Sequence, residues 1–366
     1  MKTALLTAKS LLLAARELQE RGGATPAREK KRKRGGKKKE EERKEGGRGV
    51  KRGFDDACKL VDADCQMLFT NTEQSIADQV NNMQGAIARH PDAIITAIAD
   101  DNSICPVVQE ARKQGIIVIA SNVDAKSKEA CGRQSYVGQN FIDAGQVLGA
   151  ETVKLFPESG PIRILLGISA PGSNWSEERA KGIENAIADY KANNPDREVV
   201  VDRIDSGADL AVVAGRVTAY MDAHPDLTAY FDMGMWEAAV ARVLESRNVP
   251  AGKVILSGFD VIPEVVDYMK KDYIQVVVNQ GPYLQGYLPV IQAYLMKYHY
   301  QSPWDVDSGR GVFTIEQAEA TLEPLKYAVD DGRCALRRVD YYTLPPVSDA
   351  PSYQHQIRHV STLAAP

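Results

Sequence analysis

The stretch SIADQVNNMQGAIARHPDAIITAIAD, residues 75–100, contains a helix, a helix stop and a buried strand in succession. Ile76, Val80, Met83 and Ile87 recur at helical spacing and make one apolar face. Pro91 ends that helix, since proline has no N–H to donate and its ring clashes with the preceding turn. AIITAIA, residues 93–99, is then nearly continuous apolar sequence, as a parallel strand covered on both faces must be. The same order returns at YMDAHPDLTAYFDM, residues 220–233, with Pro225 as the stop. We read this echo as a duplicated unit rather than the recurrence of a common helix stop.

Outward from these two segments the alternation continues. VKRGFDDACKLV (50–61) reads as a helix with Phe54, Cys58 and Val61 on one face, followed by the strand CQMLFT (65–70). A helix through Val107–Lys113, the strands IIVIAS (116–121) and SYVGQ (135–139), and the helix FIDAGQVLGAETVKLF (141–156) complete a first set. A second set has the strands IRILLGIS (162–169), VVVDRI (199–204), AYFDM (229–233), VILSGF (254–259) and IQVVVN (274–279), with helices near 176–191, 209–223, 236–246 and 263–271. Strands alternating with helices of this length predict an α/β protein with parallel sheets and right-handed crossovers. The chain length of 366 residues is that of two domains.

Charge is unevenly spread. Residues 1–49 carry 16 Lys and Arg against 7 Glu, while the remainder carries 29 basic and 42 acidic residues. An acidic body argues against nucleic acid or an anionic membrane as its partner. PAREKKRKRGGKKKEEERKEGGRG (26–49) is Gly- and charge-rich without apolar periodicity, and reads as a disordered tail. Its Lys30–Arg34 run is either a solvated linker or a basic patch for nucleic acid. MKTALLTAKSLLLAARELQE (1–20) is a poor export signal, because Lys9 interrupts the apolar region and Glu17 and Glu20 follow closely; a short amphipathic helix is the other reading. The cysteines Cys58, Cys65, Cys105, Cys131 and Cys334 have neither C-x-x-C nor metal-ligand spacing, so neither a zinc site nor a disulfide framework is expected. Cys58 and Cys65 read as buried apolar residues. No metal or cofactor is expected.

Several segments, in order, resemble the type I periplasmic substrate-binding proteins of sugar ABC importers, similar to ribose- and galactose-binding proteins. They are DQVNNMQGAIARHPDAIITAIADD, ARKQGIIVIASN, YVGQNFIDAGQ, NWSEERAKGI, GFDVIPEVVDYMKK and QVVVNQGPYLQGY. The resemblance covers about residues 50–325 and implies two doubly wound parallel-sheet lobes joined by a three-segment hinge. It implies lobe one over 50–157 plus 281–308 and lobe two over 158–280 plus 309–325, with 326–366 an irregular tail. The hinges would fall near Pro157–Pro161, Gln280–Tyr283 and Ser308–Val312. It further implies a monomer that closes on a small polar ligand, a monosaccharide, outside the cytoplasm, and passes it to ABC transporter membrane subunits without catalysis.

In an open α/β sheet the ligand lies beyond the carboxyl ends of the strands. Asp260, in Gly258-Phe259-Asp260, matches the family aspartate that accepts from sugar hydroxyls; the alternative is an N-cap for the helix opening at Pro263. Arg179 matches an arginine that reaches a sugar oxygen, or else pairs with Glu177 or Glu178 at the surface. Asn122 stands where many relatives carry Asp, and Asp124 is the candidate substitute acceptor; turn chemistry is the alternative for both. Gln280 matches the glutamine of the second hinge. Trp175 either offers an aromatic face to a pyranose or packs between lobes.

The family begins its first lobe with a central strand, between those of CQMLFT and AIITAIA. No β-branched strand precedes VKRGFDDACKLV, so that strand is expected to be missing. The Ala/Leu-rich start could substitute, the N-terminus could come from a shifted reading frame, or the copy could be decayed; the second is the favoured expectation. A ligand-sensing regulator of the same fold, like the lactose-repressor effector domain, would need a helix-turn-helix that residues 1–49 do not show. An enzyme is disfavoured, since no G-x-S-x-G, G-x-G-x-x-G or P-loop is present.

Overall fold

The computed structural model describes residues 4–9, 48–70 and 75–322. Most of the expected basic tail and all of the expected irregular tail lie outside the described residues. Two parallel sheets carry the fold. The first runs in the order β11-β5-β4-β3-β1-β2, from β1 (Ala4–Lys9), β2 (Cys65–Phe69), β3 (Ala93–Thr96), β4 (Ile117–Asn122), β5 (Ser135–Gly138) and β11 (Val306–Asp307). The second runs β10-β9-β8-β6-β7, from β6 (Ile162–Ile168), β7 (Val199–Asp205), β8 (Leu227–Asp232), β9 (Ile255–Phe259) and β10 (Val276–Val278).

The expectation of a missing first strand is corrected. Ala4–Lys9 occupies the central slot, pairing in parallel with β2 from Ala4↔Cys65 onward and with β3 from Ala4↔Ala93. The Ala/Leu-rich start thus substitutes for the family strand. It has no β-branched run to announce it, but a strand with neighbours on both sides takes its stability from ladder bonds that low intrinsic propensity does not forbid.

Around the first sheet lie α1 (Arg48–Leu60), α2 (Ile76–Ile87), α3 (Asp101–Lys113), α4 (Lys128–Cys131) and α10 (Pro282–Tyr298). Around the second lie α5 (Phe141–Val153), α6 (Asn174–Asn193), α7 (Leu210–Ala223), α8 (Glu237–Ser246), α9 (Pro263–Lys270) and α11 (Ile315–Leu322). Helix starts follow local chemistry: Ser75, Asp100, Ser127, Asn140 and Asp209 each accept a backbone N–H from the first turn they cap. Strand β3 is buried throughout, as its continuous apolar sequence requires.

The placement of α5 corrects a second expectation. Ala144 and Leu148 of α5 share a core with Ile164, Phe231 and Val278, and Thr152 Oγ1 lies 2.8 Å from Ser257 Oγ on β9. α5 therefore belongs with the second sheet. The first crossing lies at Gln139–Asn140, ahead of α5, and not at the Pro/Gly-rich 157–161 segment. The other two lie at 279–281 and 308–312, where Val278 and Val312 form an antiparallel bridge. α10 returns to the first sheet, and Phe54 of α1 shares a core with Val290 of α10 and Ile119 of β4.

The cysteines are corrected as well. Cys58 is bonded to Cys65 and Cys105 to Cys131, with Cα separations of 6.3 and 4.6 Å. Both distances lie in the range that a disulfide spans without moving the backbone. Nothing in the spacing of the cysteines shows these pairings, because the turn after α1 and the packing of α4 on α3 bring them together.

Candidate functional site

A cavity of about 690 Å³ opens between the two sheets, walled by loops that follow their strands. Its size suits a small-molecule ligand. Asn122, Trp175, Arg179, Asp260 and Gln280 all line it; Asp124 does not.

Gln280 joins the polar residues into one network. Its Oε1 accepts from Asn122 Nδ2 at 3.3 Å and from Arg179 Nη2 at 3.2 Å. Its Nε2 donates to Asp260 Oδ2, and its backbone N–H donates to Asp260 Oδ1 at 3.3 Å. Donors and acceptors agree throughout, which fixes the orientation of the amide. Asn122 Nδ2 also donates to Gln285 Oε1 at 2.9 Å, which ties β4 to α10. Asn122 and Asp260 both have left-handed backbones, φ +69° and +59°, which turn the chain sharply at the ends of their strands.

Asp260 does not cap α9. That helix starts after Ile262 without a side-chain cap, while the Asp260 carboxylate turns to Gln280. Burial pushes the Asp260 carboxyl up, against the pull of Arg179 and of the bonds from Gln280. Arg179 is not a surface residue either: it is 4% exposed. Its Nη1 donates to Met233 O at 2.8 Å and its Nη2 to Gln139 Oε1 at 2.8 Å. The guanidinium carbon stands 4.0 Å from the ring centre of Phe259, 5.2 Å from that of Phe141 and 5.7 Å from that of Trp175. Burial pushes the Arg179 guanidinium down to about 10, offset in part by Asp260, so it stays charged at neutral pH. Close packing of α5 on α6 places this side chain: a Cβ on Gly182 would lie 2.0 Å from Ile142 O, and one on Gly145 would lie 2.1 Å from Arg179 O. Only glycine permits that approach.

Asp124 has a different use. Its carboxylate takes the guanidinium of Arg133 through Nε at 2.8 Å and through Nη2. Arg133 is 6% exposed and also donates to Asp305 at 2.5 Å. The substitute-acceptor reading of Asp124 is therefore corrected, because a carboxylate saturated by a buried arginine has little left to offer a ligand.

Other walls were not singled out in the sequence. Asp100 caps α3 and lines the cavity, and so do Gln79, Phe141 and Trp236. Asp100 and Trp236 sit just past β3 and β8, so the rule that placed Asn122 and Asp260 would have found them. Gln79 is buried, donating to Thr96 Oγ1 at 2.9 Å and Ala97 O at 2.6 Å, and no local pattern marks it. At the mouth, Asn174 Nδ2 of α6 reaches Asp124 O at 3.4 Å and Asp101 Oδ1 at 3.5 Å, so the two lobes touch across the cleft.

Taken together, the cavity offers a fixed carboxylate, a guanidinium and amides beside three aromatic rings. Neutral hydroxyls both donate and accept, and match such a set, while the rings cover apolar C–H faces.

Residues 46–297 match the family described as periplasmic binding protein domain. The chain is similar to the xylose/arabinose-binding protein XylF of Sulfolobus acidocaldarius, with 26% identity over 291 residues, 75% of this chain and 69% of that protein. A solute-binding protein of Burkholderia graminis, solved in complex with D-arabinose, is 27% identical with a TM-score of 0.65, covering 74% of this chain and 91% of the other. A periplasmic solute-binding protein of Actinobacillus succinogenes, solved with D-allose, is 23% identical and shares the fold with a TM-score of 0.68, covering 87% of this chain and 100% of the other.

Proposed function

The chain belongs to the periplasmic binding protein family, and from that premise we propose that it binds a monosaccharide, of the pentose or aldohexose class, between its lobes and delivers it to an ABC importer. The observation that carries this reading is the Asp260–Gln280–Arg179 network on an aromatic-walled cavity. Asp260 accepts from vicinal hydroxyls, Arg179 donates to ring or hydroxyl oxygens, Asn122, whose two amide hydrogens go to Gln280 and Gln285, accepts a hydroxyl through Oδ1, and Trp175 and Trp236 cover the apolar face of the ring. The xylose/arabinose and D-arabinose relatives support a small aldose as the ligand class.

Delivery needs no bond to be made or broken. The ligand adds contacts to both lobes, and the three hinge segments let the closed state gain population in proportion to that added affinity. Membrane subunits of an importer are the proposed partner. The proposed location is outside the cytoplasm, which the two disulfides support, since such bonds persist in oxidising compartments.

Calorimetric titration of the whole chain with D-xylose, L-arabinose, D-arabinose, D-allose and D-galactose tests the reading. Saturable binding of at least one sugar, with a dissociation constant of roughly micromolar order or tighter, is expected. A cooperatively folded protein that binds none of them would overturn it.

A further inference from the structure

The segment YVGQN, between β5 and α5, contains Gln139, which is 1% exposed and stands on the first crossing between lobes. Its Nε2 donates to Gly309 O at 3.0 Å, on the third crossing, and to Asn279 O at 3.3 Å, on the second. Its Oε1 accepts from Arg179 Nη2 at 2.8 Å. The Tyr136 hydroxyl lies 3.0 Å from both Gln139 O and Asn122 O, which anchors the same residue to the first-lobe wall of the cavity. One amide therefore laces all three crossings and holds the guanidinium that faces the ligand. We propose that Gln139 is a positioning residue: it fixes Arg179 against the hinge, so that ligand contact through Arg179 and the arrangement of the crossings form one cooperative unit. This rests on the reading of Arg179 as a sugar contact.

The two ends of the Gln139 amide can be separated. Gln139→Met removes both functions at similar length. Gln139→Glu keeps an acceptor for Arg179 but sets a carboxylate oxygen against the carbonyls of Asn279 and Gly309, where no donor remains. Affinity for whichever of D-xylose, L-arabinose, D-arabinose, D-allose or D-galactose the wild type binds, and the melting temperature without sugar, are measured for wild type, Gln139→Met, Gln139→Glu, Arg179→Met and Gln139→Met/Arg179→Met. Loss of a hydrogen bond to a charged group should weaken sugar binding roughly tenfold or more in Gln139→Met. In the Arg179→Met background the same change should alter affinity by less than about twofold, because its route to the ligand is already gone. Gln139→Glu should melt lower than wild type yet bind sugar better than Gln139→Met.

Equal affinity losses in both backgrounds, or equal weakening by Met and Glu, would assign Gln139 to hinge structure alone and overturn the proposal. If the wild type binds none of the sugars, the functional reading fails, and the proposal, which rests on it, falls with it; a wild type that binds sugar while Gln139→Met binds it equally well rejects the proposal alone. Where Arg179→Met binds too weakly to titrate, the affinities of Gln139→Met and Gln139→Glu decide: tighter binding by Glu upholds the coupling to Arg179, and equal weakening rejects it.

Discussion

Glu237, the first residue of α8, is fully buried, and neither carboxyl oxygen has a hydrogen-bond partner. The group lies over β9, where a Cβ on Gly258 would come within 2.5 Å of it, and Asp232 is its buried neighbour. Burial first, and then Asp232, push the Glu237 carboxyl well above its usual range; its own N–H at the helix start opposes this only in part. Glu237→Met keeps the length of the side chain and removes the polar atoms. An unpartnered buried polar group costs about 1–3 kcal/mol, so the variant should be more stable by about that amount. For a protein of this size that is a rise in melting temperature of roughly 1–5 °C.

The pH dependence supplies a second check. A carboxyl whose folded value is raised contributes stability that is fully present below its unfolded value, here 4.5, and is lost as pH rises through the folded value. The wild type should therefore lose stability as pH rises above 4.5. Glu237→Met should lose less, leaving Asp232, which burial pushes up to about 6. The gap between the two melting temperatures should widen from about pH 5 to about pH 8, as followed by circular dichroism. Glu237→Gln separates the effects, since it abolishes the titration but leaves an unpartnered polar group. A Glu237→Met protein that melts below the wild type, or a gap that narrows with rising pH, would refute the reasoning.

Three further outcomes are expected. Asp260→Ala removes the carboxylate acceptor at the centre of the network and leaves Gln280 Nε2 and the Gln280 backbone N–H without their partner, so sugar affinity should fall by roughly a hundredfold or more, read by calorimetric titration. Replacing Cys105 and Cys131 by Ala opens a cross-link with a sequence separation of 26, which should lower stability by about 3 kcal/mol in denaturant unfolding; the Cys58–Cys65 pair, with a separation of 7, should matter less, at about 2 kcal/mol. Deleting residues 1–9 strips a central strand from between β2 and β3, and the protein should lose its cooperative melt; a melt as sharp and as high as that of the whole chain would show that Ala4–Lys9 is dispensable.

The periodicity of residues 75–100, and its repetition through the chain, determined the alternation of helices and parallel strands, since a helical face and a doubly covered strand each leave a local signature. The family resemblance singled out Asn122, Asp260 and Gln280, and the rule that ligands lie beyond strand ends agrees with their place on the cavity wall, because position along the chain decides which end of a strand a residue occupies. Only the tertiary structure decided what their side chains meet. Asp124 and Asp260 are both acids just past a strand, with similar local signals. Asp124 is claimed by Arg133, 9 residues on, while Asp260 is turned by Gln280, 20 residues on, toward the cavity. The slot taken by Ala4–Lys9, the lobe on which α5 packs, the pairing of the cysteines and the burial of Glu237 share that character. Each depends on how separate elements pack against one another, which the chain does not spell out even where the partners are close in sequence, as Cys58 and Cys65 are at a separation of 7.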